Sequence, residues 1–163
     1  MSSSLDWRSE LKQGDIAAIR NMAVRAGVFS EEEIGVAVEL AEDKLTKGSA
    51  SDYHFMLADI HDALVGYTCF GRIPLTEARY DLYWIVVSAD IQQKGIASAL
   101  MGQTETSLHA LGGRILYAET SSRAIYAPAH GFYRKQGFTE SACLKDFYAD
   151  GDDKLIFSKL LVR

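Results

Sequence analysis

The run from Tyr83 to Met101, YWIVVSADIQQKGIASALM, constrains the fold of this chain more than any other segment. Its first five residues are apolar and read as a buried strand. A loop carrying two glutamines, a lysine and a glycine follows directly. A helix then runs from about Ile96 to Leu111, with Ile96, Leu100, Thr104, Leu108 and Leu111 recurring on one side, and Gly112-Gly113 stop it. RILYAETS (114–121) reads as the next strand. Strand, helix and strand in succession imply a parallel pair joined by a right-handed crossover.

The remaining elements fit around that unit. A short strand occupies 5–9. Gly14-Asp15 opens a helix over IAAIRNMAVRA, which Gly27 ends. In SEEEIGVAVELAEDKLTKG, Ser30 and Glu33 form a capping box, Gly48 closes the segment, and Ile34, Val38, Ala41 and Leu45 share a face. DYHFMLADI, ALVGYTCFG and ARYDLYWIVV read as three strands of an antiparallel meander, with His61-Asp62 as a tight turn. Later, YAPAHGFYRKQGF holds a short helix ending at Gly137. ESACLKDFYA and KLIFSKLLV are two final strands around the turn DGDD. The order βααβββαβαββ predicts one α/β domain over 1–163, a mixed and mostly antiparallel sheet of six or seven strands flanked by about four helices.

Charge and composition narrow the partners. The net charge is −5 with no basic block, which argues against nucleic acid and favours an amine-bearing partner. No apolar run approaches the roughly 20 residues of a membrane helix, and the first residues lack signal-peptide character. A cytoplasmic protein without a membrane partner is expected. Cys69 and Cys143 suit a reducing compartment as buried thiols and suggest no metal site. His54, His61, His109 and His130 lack ligand spacing, and His130 reads as a surface or helix-packing residue.

The loop carries the clearest chemistry. A helix N-terminus presents unpaired N–H groups and a partial positive charge. A glycine there lets an anion approach the backbone. Gln92, Gln93, Lys94, Gly95, Ile96 and Ala97 sit where these effects combine, and the site suits a pyrophosphate. The segment matches neither a P-loop nor a Rossmann dinucleotide loop.

Gln92-x-x-Gly95-x-Ala97 resembles the Q/R-x-x-G-x-G/A signature of the GNAT superfamily of N-acetyltransferases. The strand before it and the helix containing SALM after it are placed as in that family, and FYRKQGF (132–138) resembles its second motif, FYxxxGF. The matched core runs from about Arg79 to Phe138, and the order of elements agrees along nearly the whole chain. YDLYWI, ETSS and DFYADGDDKLIF also resemble stand-alone bacterial members without an assigned substrate.

The resemblance implies a GNAT-like fold in which a splayed parallel strand pair forms the cofactor slot. It implies acetyl-CoA as co-substrate, no metal, and direct attack by a primary amine of a small molecule or peptide. The cofactor would be held by Ile85, Val86 and Val87 on the strand, by Gln92, Gln93, Lys94, Gly95, Ile96, Ala97 and Ser98 at the loop and helix start, and by Tyr126, Phe132 and Tyr133. Tyr126 stands near the position where the family often carries an asparagine. The backbone N–H of Val87 would polarise the thioester carbonyl. Tyr133 matches the tyrosine that protonates the departing thiolate. Asp81, on the strand eleven residues before Gln92, and Glu119, near the end of the next strand, compete for the role of base. Thr120, Ser121 and Ser122 could line an acceptor pocket. Asp81, Glu119, Asp146, Asp152 and Asp153 could make an acidic mouth for a cationic amine, though DGDD reads better as a solvated hairpin turn. A homodimer is common in the family. The alternative to an enzyme is a catalytically silent acyl-CoA-binding sensor or partner module, which retention of Tyr133 and both carboxylates disfavours.

Overall fold

The computed structural model of the chain describes residues 4–91 and 94–161. The elements follow in the predicted order: β1 (Asp6–Arg8), α1 (Asp15–Ala26), α2 (Glu31–Lys47), β2 (Tyr53–Ile60), β3 (Ala63–Arg72), β4 (Arg79–Val87), α3 (Ile96–Ala110), β5 (Ile115–Ser121), α4 (Ala127–Lys135), β6 (Thr139–Ala149) and β7 (Asp152–Leu160). The strands form one mixed sheet in the order β1-β2-β3-β4-β5-β7-β6. β4 and β5 pair in parallel, with Arg79 opposite Ile115 through Leu82 opposite Ala118. The pairs β1–β2, β2–β3, β5–β7 and β6–β7 are antiparallel.

Local chemistry sets the element ends. The Ser30 hydroxyl accepts from the Glu33 N–H at 3.1 Å, and the Glu33 carboxylate accepts from the Ser30 N–H at 2.7 Å, a complete capping box. Both His61 and Asp62 have positive φ, the conformation of a two-residue hairpin turn whose twist matches its strands.

The chain divides into two compact units. One comprises Met1–Gly71 with Trp84–Thr104, the other Arg72–Tyr83 with Glu105–Arg163. In the first unit, Ile19 and Met22 of α1 and Ala37 and Ala41 of α2 pack on Phe55, Leu57, Tyr67, Cys69 and Val86 of the strands. On α2 the buried residues are Ile34, Ala37 and Ala41, while Val38 and Leu45 are half-buried. A Cβ at Gly66 would lie 2.9 Å from Leu100 Cδ1 and 3.2 Å from the Val86 carbonyl oxygen, so glycine lets α3 lie close on β3. Below that contact the Thr104 hydroxyl donates to the Leu100 carbonyl at 2.8 Å. Its single hydrogen is then used, so the buried Thr68 hydroxyl, 2.6 Å away, donates to Thr104.

In the second unit, Leu116, Ala118, Phe138 and Phe157 are buried. Two expectations fail here. Leu111 is 45% exposed, because α3 ends at Ala110 and Leu111 lies in the turn beyond the helical period. Cys143 is exposed, although Cys69 is buried as expected. β6 lies at the sheet edge and is exposed along almost its whole length.

Candidate active site

The first unit carries the loop. The Ser88 N–H donates to the Val65 carbonyl at 2.7 Å, and the Ile91 N–H folds back to the Ser88 carbonyl. Asp90 pairs with Arg25 of α1 at 2.6 Å. These contacts fix where the chain leaves β4. Gln92 and Gln93 lie outside the described residues. Lys94 and Gly95 are exposed, and Ile96 is buried. The Gly95 carbonyl accepts from the Ala99 N–H at 2.9 Å, so by helix geometry the amides of Ile96 and Ala97 have no acceptor within α3. Gly95 has φ +86, and nothing lies within 4 Å of where its Cβ would be. An open glycine, a lysine and a bare helix start fit a pyrophosphate. Ile85 and Val87 are half-buried, Val86 is buried and packs in the core, and Ser98 is exposed.

The second unit carries the titratable groups. A cavity of about 670 Å³ is lined by Ile73, Thr76, Glu77, Arg79, Asp81, Tyr117, Glu119 and Ile156. Parallel pairing sets Asp81 opposite Tyr117. Antiparallel pairing sets Glu119 opposite Ile156. Alternation along three neighbouring strands thus turns these side chains to one face. Burial raises the Asp81 pKa above the usual carboxylate value, the charge of Glu119 raises it further, and Lys154 works against both. The sequence left Asp81 and Glu119 as rivals, and the structure brings them to one cavity. Glu119 is not alone: its Oε2 lies 2.5 Å from Lys154 Nζ.

Tyr133 is buried among Phe132, Phe138 and Phe157, with ring centroids 5.8, 5.3 and 5.5 Å away. Burial pushes its phenol up to about 12, so it keeps its proton at neutral pH. Phe132 and Tyr126 are half-buried, and the Arg123 guanidinium lies 5.5 Å from the Tyr126 ring centroid. His130 is buried, 2.9 Å from the Ser121 carbonyl and stacked on Phe157, which is the helix-packing reading and not the surface one.

Other suggested pocket groups are engaged elsewhere. The Ser121 hydroxyl bonds Asp152, and the Ser122 hydroxyl accepts from the Asp153 N–H. The Thr120 hydroxyl donates to the Ser121 carbonyl. The Asp146 carboxylate accepts from the Gly151 N–H, while Asp153 takes the Asp146 N–H and Lys145. These aspartates are hairpin residues. Among the described residues, no group of acidic, His or Cys side chains could hold a metal ion, and no helix is long and apolar enough to cross a membrane.

Residues 16–138 match the model of the acetyltransferase (GNAT) family. The chain belongs to the GNAT family. A GNAT-family structure from Desulfovibrio desulfuricans is 39% identical, with 98% of this chain and 100% of that one covered at a TM-score of 0.94. The ribosomal-protein-S18-alanine N-acetyltransferase of Escherichia coli shares the fold at 19% identity, TM-score 0.73, with 98% and 96% covered. An aminoglycoside 6'-N-acetyltransferase complexed with coenzyme A does so at 13% identity, TM-score 0.75, with 98% of each chain covered. A comparison with curated protein sequences gives no match.

As a GNAT enzyme the chain is an acyltransferase, and its fold is the one the two motifs implied. Sequence reasoning missed Lys154. The available signal was a lysine opening the apolar run LIF of β7, on the face shared with Ile156.

Proposed function

We propose that this chain transfers an acetyl group from acetyl-CoA to a primary amine of a small molecule or peptide, acting as one acetyltransferase domain. The observation that carries the acceptor side is the cavity holding Asp81 and Glu119. A carboxylate with a raised pKa, beside a second carboxylate, attracts an ammonium and can take its proton.

Bound acetyl-CoA would supply the acetyl thioester. The amides of Ile96 and Ala97, the open backbone at Gly95 and the Lys94 ammonium would hold its phosphates. Gln92 and Gln93 belong to the same motif. The N–H of Val87 would donate to the thioester carbonyl, with Ile85 and Val86 beside it on the strand. Asp81 takes the proton of the acceptor ammonium, directly or through a water, so that a neutral amine attacks. Tyr133 holds a proton for the leaving sulfur, since a phenol with its pKa near 12 is protonated at any working pH. The GNAT relatives with known acceptors act on a protein alanine and on aminoglycosides, which supports an amine acceptor and leaves its identity to experiment.

The test is thiol release from acetyl-CoA across polyamines, amino acids, aminoglycosides and short peptides, read beside a thermal shift with coenzyme A. Release with one amine class and a raised melting temperature are expected. A Gly95→Glu chain should lose the thermal shift, because a charged side chain would fill the open space and repel phosphate. An undiminished shift in that variant removes the loop from the cofactor site.

A further inference from the structure

We propose that Lys154 is a positioning residue of the acceptor cavity: gripped between Glu119 and the Phe147 ring, it holds the Glu119 carboxylate as a fixed anion and leaves Asp81 as the carboxylate that exchanges a proton with the acceptor. This rests on the reading of Asp81 given above.

The geometry is that of a built contact. Lys154 lies on β7, opposite Ser121 of β5 and Leu144 of β6. Its side chain is only 15% exposed, against 44% for Glu119. Its ammonium lies 2.5 Å from Glu119 Oε2 and 4.4 Å from the centroid of the Phe147 ring. A cation over an aromatic face is attracted by the ring quadrupole, so the charge is held from β5 on one side and β6 on the other. This also gives a reason for Phe147, 52% exposed on an edge strand.

The consequence concerns two carboxylates in one cavity. Two such groups without a nearby cation tend to share a single proton, and neither has an assigned role. A lysine bound to one of them removes that ambiguity. The Lys154 ammonium holds the Glu119 carboxylate in place, and the Glu119 carboxylate acts on Asp81. The charged and titratable groups of the cavity and its rim are Glu77 and Arg79 on the loop and strand before Asp81, Tyr117 and Glu119 on β5, and Lys154 on β7. Arg79 donates to the Glu77 carbonyl at 2.6 Å, which ties part of its guanidinium to its own loop. Glu119 and Lys154 form the opposed pair that acts on Asp81, one raising and one lowering its proton affinity.

Opposite signs make the proposal testable without knowing the acceptor. The chain labelled with carbon-13 at aspartate carboxyls is titrated by NMR, and the Asp81 signal is identified by its loss in Asp81→Asn. Lys154→Met should raise the Asp81 midpoint by about one pH unit, a tenfold gain in proton affinity. Glu119→Gln should lower it, and Lys154→Arg should restore the parent value. A salt bridge serving only to stiffen the sheet, with no field at Asp81, predicts an unmoved midpoint in both neutral variants. Same-sign shifts, or no shift in a folded Lys154→Met chain, overturn the proposal. Loss of thiol release in Asp81→Asn with unmoved midpoints would sink the role of Lys154 alone. Full release in Asp81→Asn would sink the reading of Asp81 itself.

Discussion

Two charge clusters in this chain are built from the same parts, one cation and two carboxylates, and they end up opposite in character. In the first unit Arg8 of β1 bonds Asp59 at 2.6 and 3.0 Å and Asp15 at 2.6 and 2.8 Å. Both aspartate side chains are 8% exposed and the Arg8 side chain 17%. The Lys12 N–H adds a further donor to Asp15. Burial alone would raise the Asp15 pKa, but the bonds from Arg8 and Lys12 outweigh it and the pKa falls below the usual value. In the second unit Lys154 pairs with Glu119. Asp81 is acted on by burial and by the charges of Glu119 and Lys154, without a hydrogen bond among those forces, and its pKa rises. A planar, five-donor guanidinium can satisfy two carboxylates at once. An ammonium placed on one partner leaves the other uncompensated. The saturated cluster ties β1 to β2 and α1, whereas the unsaturated one faces a cavity.

That contrast can be broken by mutation. Asp81→Asn should cut turnover by about 10²–10⁴-fold, the usual worth of a general base, without loss of fold. Its stability should even rise at about pH 8. A group whose folded pKa is raised favours the native state only while protonated, so ionised Asp81 costs stability above that pKa. The gain should fade as pH falls through the Asp81 pKa. Arg8→Met should do the reverse. It leaves two buried carboxylates unpaired and should cost roughly 3 kcal/mol in urea unfolding, with kcat per folded molecule unchanged. The contribution of Asp15 runs in the opposite pH sense from that of Asp81. Its pKa is depressed, so its stabilisation is present above the unfolded value and lost as pH falls through the folded one. Tyr133→Phe should sharpen the picture with a smaller effect, about ten- to hundredfold in kcat, while the thermal shift with coenzyme A stays. An unchanged kcat would make Tyr133 a packing residue beside Phe138 and Phe157.

Much of this was legible in the residues, for identifiable reasons. Signals that act locally came through: the Ser30–Glu33 box, the His61-Asp62 turn, and the glycines at 27, 95, 112 and 137, all with positive φ. The loop YWIVVSADIQQKGIASALM announced its parallel pair because chirality allows few ways to connect strand, helix and strand. What stayed hidden depends on pairing between distant strands. Sequence alternation could not show that Asp81, Glu119 and Lys154 meet, since that follows from the β4–β5 and β5–β7 registers together. Cys143 misled because thiols are usually buried, and its exposure follows from β6 being the edge of the sheet. Leu111 misled because a helical period continues on paper past the point where Gly112 ends the helix.

The most direct measurement is the pH dependence of kcat/KM for thiol release, run with the parent chain and Asp81→Asn on the acceptor the amine panel identifies. The parent should lose activity on the acid side at a pH above the ordinary carboxylate range, as Asp81 takes up its proton, and Asp81→Asn should show low activity with that limb gone. An Asp81→Asn chain that keeps both the rate and the acid limb of the parent would contradict the assignment of Asp81 as proton acceptor.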